Sequence, residues 1–343
     1  MSGFDAQLKG LSPSYFALVM ATGIISIAAD ALDLRLVAVA LLGLNVVAYI
    51  VLWLLTGLRL ARHRDEFVSD LTSHEHGFGF MTMVAGSAVL GSQMVLVTDH
   101  LVIATALLLV AVALWLLLTY TIFTALTIKH DKPSLLEGIS GSWLLAVVAT
   151  QAIAVLIELL STRWGQPLRL DANFVALSMW LWSGMLYIWI ISLIFYRYLF
   201  FRFSPDDLAP PYWINMGAMA ISALAGSLLI VNAPHAPFLS SLQPFLEGFT
   251  VFYWATGTWW IPMIAVLAFW RYGCRRLPLE YDPLYWGAVF PLGMYSVATL
   301  RMADTMSLDF LDPIPPTFLA IAIAAWLVTF AGLIRNLARK QWS

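Results

Sequence analysis

The sequence predicts an all-α integral membrane protein with ten transmembrane helices, read as five helical hairpins. Three observations carry this reading. Ten stretches of 18 to 28 residues hold no Asp, Glu, Lys, Arg or His: 10–29, 36–58, 77–98, 101–128, 138–157, 172–196, 208–234, 248–270, 283–300 and 313–334. The chain is 61% hydrophobic and only 11% charged, where a soluble domain has about 25% charged residues. The charges fall in the gaps, and the basic ones favour every second gap. A hydrocarbon core about 30 Å thick takes about 20 apolar helical residues to cross. A charge at its centre costs several kcal/mol, which drives charged residues to the loops.

The elements follow in order. Span 1, residues 13–30, carries Thr22, Gly23 and Ser26, whereas span 2, 36–57, is apolar. Span 3, 78–98, carries Gly86, Ser87, Gly91, Ser92 and Gln93, and span 4, 101–128, is the greasiest of all. Span 5, 140–158, carries Thr150 and Gln151; span 6 is 172–196. Span 7, 212–232, carries Asn215, Gly217, Gly226, Ser227 and Asn232; span 8 is 248–270. Span 9, 284–301, carries Pro291, Gly293, Ser296 and Thr299, and span 10, 315–335, is again apolar. Lipid offers no partner to a hydroxyl or amide, so polar residues turn inward, and small residues let helices approach closely. The odd spans are therefore expected inside and the even spans outside. The odd spans begin near residues 14, 78, 141, 212 and 284, a recurrence that marks one hairpin repeated five times. The pattern alone leaves both a close-packed bundle and an axial pore open.

The spans fill the chain, so a single membrane domain over residues 1–343 is expected, with no soluble appendage. Nine residues ahead of the first apolar stretch are too few for a cleavable signal peptide, so span 1 is expected to serve as its own targeting signal. The N-terminus, the gaps after spans 2, 4, 6 and 8, and the C-terminus hold 14 Lys and Arg. The gaps after odd spans hold four: Arg35, Arg163, Arg169 and Arg301. This bias predicts a cell (plasma or inner) membrane protein with both termini in the cytoplasm.

On that orientation the odd helices point their N-termini at the cytoplasm. Their partial positive charge favours an anion there. The odd stretches contain no carboxylate, whereas a cation or proton path usually shows one at membrane depth. None of the six histidines (His63, His74, His76, His100, His130, His235) falls in a charge-free stretch, which argues against a membrane haem. The His74-Glu75-His76 cluster reads as a solvated helix start rather than a metal site. Asp206-Asp207 is too sparse for a Mg-diphosphate site. The lone Cys274 excludes an intramolecular disulfide. No catalytic set, metal, cofactor or nucleic-acid patch is expected. Most of the 15 Trp, among them Trp53, Trp143, Trp180, Trp182, Trp189, Trp213, Trp286 and Trp326, read as interfacial anchors. Trp254, Trp259 and Trp260 are candidates for contacts between subunits. Arg301 stands at the outer end of span 9, either drawing anions to an outer mouth or pairing with Asp304.

Span 9 is the most specific segment. In WGAVFPLGMYSVATLRMA, Pro291 lies mid-helix, where it removes a hydrogen bond, and Phe290 sits at the kink. This run, with Trp286, Phe290 and Pro291, resembles the ninth helix of the tellurite-resistance/dicarboxylate transporter family. That family includes the bacterial tellurite-resistance protein A, plant slow anion channels, and fungal malate and sulfite transporters. Span 1 is similar to the family's opening pattern through Phe16, Met20, Thr22 and Gly23, and SWLLAVVATQAIAV to its fifth helix. The resemblance implies five hairpins in a ring, a pore along the odd helices, a homotrimer with one pore per subunit, and a gate at Phe290. It makes Phe16, Gly23, Gly86, Thr150 and Gly226 candidate pore-lining residues and Arg301 the outer mouth. The family often bends several inner helices at proline; here only span 9 of the odd set has one, which leaves pore radius open. A passive channel for small anions and a carrier for C4-dicarboxylates or sulfite, proton-coupled or not, both fit the scaffold. The lack of a titratable group within the spans favours the channel.

Overall fold

The computed structural model describes residues 3–202, 204, 208, 210–276 and 281–341; Asp206-Asp207 lies outside them. Among the described residues there is no strand. Ten helices of 15 residues or more follow one another: α1 Ala17–Ala31, α2 Arg35–Arg62, α3 Met81–Thr98, α4 Leu101–Ile128, α5 Leu145–Ser161, α6 Leu168–Phe200, α7 Ile214–Asn232, α8 Gln243–Phe269, α9 Trp286–Met306 and α10 Ile314–Gln341. Nine of these helical segments, among the described residues, are long and apolar enough to cross a membrane, one fewer than the ten spans expected. The remaining one is α9. Its Pro291, Gly293, Tyr295, Ser296, Thr299 and Arg301 hold its hydropathy down. It is 21 residues long and buried along most of its length, so protein rather than lipid satisfies its polar groups.

The odd helices are the buried set and the even helices the exposed set, as the polarity of the sequence implied. The apolar windows of α1, α3, α5 and α7 are 83%, 94%, 94% and 89% buried, against 22%, 28%, 50%, 22% and 28% for α2, α4, α6, α8 and α10. Each odd helix packs against the even helix that follows it. The odd helices also pack in sequence, α1 on α3, α3 on α5, α5 on α7, α7 on α9, and α9 back on α1.

Every odd helix is led in by a single 3-10 turn: Pro13–Phe16, Gly77–Phe80, Gly141–Leu144, Pro210–Trp213 and Pro283–Tyr285. Proline suits such a start, since it fixes φ and its missing N–H is an unpaired donor there anyway. Ser12 and Asp282 cap two of these turns, accepting from the backbone N–H of Ser14 at 3.3 Å and of Leu284 at 2.8 Å. Gly141 is required by space: a Cβ there would lie 2.4 Å from the carbonyl oxygen of Pro211 in the next repeat's turn.

Polar stitches hold outer to inner helices. The indoles of Trp115, Trp254 and Trp326 donate to the hydroxyls of Thr150, Thr299 and Thr22 at 2.8, 2.9 and 3.0 Å. Trp180 donates to the Ser222 carbonyl at 2.8 Å, and Asn45 to Gln93 at 2.8 Å. The expectation that the Trp set consists mainly of interfacial anchors is corrected here. Trp180, Trp286 and Trp326 are buried, and Trp143 is held by the carbonyls of His74 and Gly138. Trp182 and Trp189 are exposed as anchors would be. Of the three Trp of α8, Trp254 and Trp260 bond within the chain, the latter to Tyr187 at 3.0 Å, and Trp259 is exposed. Between hydroxyl and indole the alternative in hydrocarbon is an unpaired polar group, which selects the stitch.

Candidate functional site

A cavity of about 30 Å³ lies on the axis between the odd helices, room for about two waters. All five supply its wall: Ile24 and Ile27 of α1, Val89, Ser92 and Leu96 of α3, Ala152, Val155 and Leu159 of α5, Ile221, Leu224 and Leu228 of α7, and Met294, Val297 and Arg301 of α9. The spacing of three and four residues is one face of a helix, repeated five times. The wall is apolar apart from Ser92, whose hydroxyl donates to its own helix at 3.0 Å, and Arg301. The Arg301 guanidinium sits 4.0 Å from Asp304. Arg301 thus both lines the cavity and neighbours Asp304.

One turn nearer the N-terminal ends, the same faces carry Met20, Ala85, Val148, Gly217 and Phe290. Met20, Ala85, Val148 and Phe290 are at most 1% exposed. Phe290 is the aromatic residue of these five. Pro291 turns toward α7, where a Cβ on Gly217 would lie 2.6 Å from its Cγ; glycine lets the proline-bearing helix seat there.

Neither Phe290 nor the expected pore-lining residues Phe16, Gly23, Gly86, Thr150 and Gly226 are among the cavity's lining; the latter five sit on seams between helices. Phe16 stacks edge-on with Tyr49 and Trp53 of α2, at 6.0 and 5.4 Å. A Cβ on Gly23 would meet Val89 and Asn45 at 2.7 and 3.0 Å, and one on Gly86 the Phe16 carbonyl at 3.3 Å. Thr150 faces Trp115 of α4. Gly226 faces Thr250 of α8 and Trp180 of α6. At these seams the glycines leave room for close helix approach, and Thr150 accepts from the Trp115 indole.

The sequence reading missed Glu158. It follows the fifth charge-free stretch by one residue, yet the helix runs on to Ser161 and buries it completely. Its Oε2 accepts from Asn232 Nδ2 at 2.6 Å, and Asn232 Oδ1 accepts from Arg169 at 2.8 Å. Glu158 Oε1, Arg169 Nε and Asn173 Oδ1 are buried with no hydrogen-bond partner. The expectation of no titratable group within the odd helices is therefore overturned. Glu158 adjoins the lining residue Leu159, and Asn232 lies one turn beyond Leu228, so the cluster borders the C-terminal end of the cavity. Only the pairing of Glu158 with an inward-facing Asn232, rather than any window count, could have signalled it.

At the opposite end, two buried arginines tie down the segments that precede or form the lead-in turns. Arg59 donates to the Lys9 carbonyl at 3.1 Å and to Asp70 at 2.5 Å. Arg197 donates to the Ile139 carbonyl at 3.3 Å and to the Tyr212 hydroxyl. His74 rests against Trp143, ring centroids 6.2 Å apart. Burial, then Lys129 and Lys132, holds its imidazole below the ordinary 6.5. Among the described residues no group of three His, Cys, Asp or Glu could hold a metal.

Comparison with known proteins places these features. The family model described as SLAC1, voltage-dependent anion channel, matches residues 10–334. An uncharacterized membrane protein of Mycobacterium tuberculosis is 37% identical over 153 residues, 45% of this chain and 77% of the relative. An uncharacterized transporter of Methanocaldococcus jannaschii is 22% identical over 345 residues, covering 97% of this chain and 96% of the relative. The sulfite efflux pump SSU1 of Trichophyton rubrum is 23% identical over 357 residues, covering 97% and 92%.

Proposed function

The chain belongs to the SLAC1 family, the voltage-dependent anion channels, and on that premise we propose that it is a passive anion channel or uniporter gated by Phe290. Small anions such as chloride or nitrate pass along the axis of a ring of five hairpins, through one path within each subunit of a homotrimer. The protein sits in the cell membrane with both termini in the cytoplasm. One observation carries the reading: five helices each turn a stripe of every third or fourth residue to a common cavity, on α9 Met294, Val297 and Arg301, and Phe290 stands one turn before that stripe. An apolar wall holds an ion weakly, which conduction needs, and a ring across a narrow dry throat raises the barrier to crossing. The positive edge of a phenyl ring tolerates an anion without trapping it. Arg301 raises the local anion concentration at the outer end.

The test is anion current through reconstituted protein. Lowering the barrier by about 1.4 kcal/mol raises a rate about tenfold, so Phe290→Ala is expected to increase chloride or nitrate current by about that factor or more. Equal currents in variant and wild type would remove Phe290 from the gate.

Glu158 favours a second reading, a proton-linked carrier of an oxyanion or C4-dicarboxylate. A buried ionisable residue beside a membrane path is a functional candidate by default, and relatives are named sulfite efflux pumps. Glu158→Gln keeps the acceptor for Asn232 and removes the titration. On the carrier reading, uptake of sulfite or malate saturates and its dependence on outer pH disappears in Glu158→Gln. On the channel reading the current keeps its pH profile.

A further inference from the structure

A second space lies off the axis. A groove of about 770 Å³ runs between α8, α9 and α10 on the half of the molecule where the odd helices begin. Its origin is local. Pro262 lies inside α8 and breaks its hydrogen-bond ladder. Beyond it the chain leaves regular geometry in a π-helical turn, Trp270–Cys274. The far half of α8 thereby stands off from α10.

The walls are apolar and small: Ala268 on α8, Ala324 and Val328 on α10. The floor is α9, through Ala288, Val289 and Leu292. On a helix, positions two before and two after a residue point away from it. Ala288 and Leu292 thus lie on the face of α9 opposite Phe290. The groove opens sideways, between the exposed faces that carry Val266 and Phe269 on α8 and Leu327 and Val328 on α10. Those are faces turned to hydrocarbon in a membrane protein. Polar groups gather at one end. There the Tyr272 and Tyr285 hydroxyls meet at 2.8 Å, and exposed Arg335 lines the rim. Arg335 holds no ion pair among the described residues.

We propose that this groove binds one acyl chain of an anionic phospholipid, its headgroup phosphate on Arg335, and that the bound chain bears on α9 from behind the gate. The complementarity is in two parts. A slot of Ala, Val and Leu matches a hydrocarbon tail, and a guanidinium at the interface forms charge-assisted hydrogen bonds to a phosphate. An occupant against Ala288 and Leu292 limits how far α9 can move away from the axis, and with it Phe290. The gating half rests on Phe290 as the gate; the binding half does not.

Native mass spectrometry of the full chain, loaded with phosphatidylglycerol or phosphatidylcholine, tests binding. The wild type is expected to retain a phosphatidylglycerol adduct in preference to phosphatidylcholine. Ala324→Trp fills the slot from one wall and Ala268→Phe from the other, and each removes the adduct, so that misfolding of one leaves the other informative. Arg335→Gln keeps the adduct and reduces the preference for the anionic lipid about fivefold. Equal adducts on wild type and both filled variants overturn the site, as does an unchanged preference in Arg335→Gln. A filled variant that changes the number of chains per particle, with no adduct on the wild type, makes the face a contact between copies and overturns the site too. Anion flux in liposomes of the two lipids tests coupling: it differs between lipids for the wild type and not for Ala324→Trp. Lipid-independent flux in the wild type, with adducts as expected, overturns the gating half alone. Adducts as expected with Phe290→Ala indistinguishable from wild type would locate the failure in the gate.

Discussion

At the scale of single residues, the indole-to-threonine stitch is the most informative detail, because it recurs at three of the five junctions where the outer helix of one hairpin meets the inner helix of the next. Each stitch buries a donor and an acceptor that lipid cannot satisfy, so removing one partner strands the other. For Trp254 and Thr299, Trp254→Phe keeps the ring and Thr299→Val keeps the shape. Each is expected to destabilise by about 1 kcal/mol, and the double variant to cost about 0.6 kcal/mol less than the sum. Denaturant unfolding in mixed micelles measures this, and strict additivity would reduce the stitch to packing. Glu158 is the contrary case, a polar residue whose neighbourhood is incompletely satisfied. Satisfied buried groups hold a fold together, whereas unsatisfied ones beside a cavity call for a functional account. The two roles were not separable in the sequence. Thr150 and Gly226 looked like pore surface because small and polar residues serve seams and pores alike; only the partner, Trp115 or Thr250, distinguishes them.

At the scale of elements, the sequence carried the inner and outer sets through polarity, and it carried α4 to the residue, since Leu101–Ile128 coincides with a charge-free stretch. It carried less of α5 and α9. Helix α5 outlasts its apolar stretch because Asn232 of α7 lets Glu158 continue the turn. Helix α9 survives Pro291 and Arg301 because α1, α7 and α10 enclose it. The lead-in turns were also hidden, since PSYF, GFGF, GSWL, PPYW and PLY share a geometry rather than residues. Two of these leads meet at His74, whose carbonyl accepts from Trp143 at 3.2 Å while its ring rests on the same indole. Burial lowers the imidazole's affinity for protons in the folded state. The unfolded chain therefore binds more protons just below pH 6.5, and stability falls there as pH falls. Below the folded value both states are charged and the loss levels off. His74→Gln is expected to flatten that part of the stability-pH curve while leaving stability at pH 8 near wild type. An unchanged slope between pH 6.5 and 5 would assign it to other groups.

At the scale of the whole molecule, the axial wall belongs to one chain. Residues of α1, α3, α5, α7 and α9 all line the cavity, and α9 packs back on α1. Assembly can then add stability or regulation but need not build the path. A homotrimer on this plan contains three independent gates, whereas an oligomer conducting along its own symmetry axis contains one shared path. The two differ in how mutant subunits combine. If Phe290→Ala opens each path separately, co-reconstituting it with wild type in varied ratios gives a current linear in the fraction of variant. If the subunits share a path or open together, the current follows that fraction to a power between two and three for a trimer. Particle mass in nanodiscs counts the chains, and the curve from the mixtures counts the gates. A steeply curved dependence would overturn independent gates and leave a shared axis or concerted opening of three paths, which Phe290, buried inside its own chain, fits only in the second case.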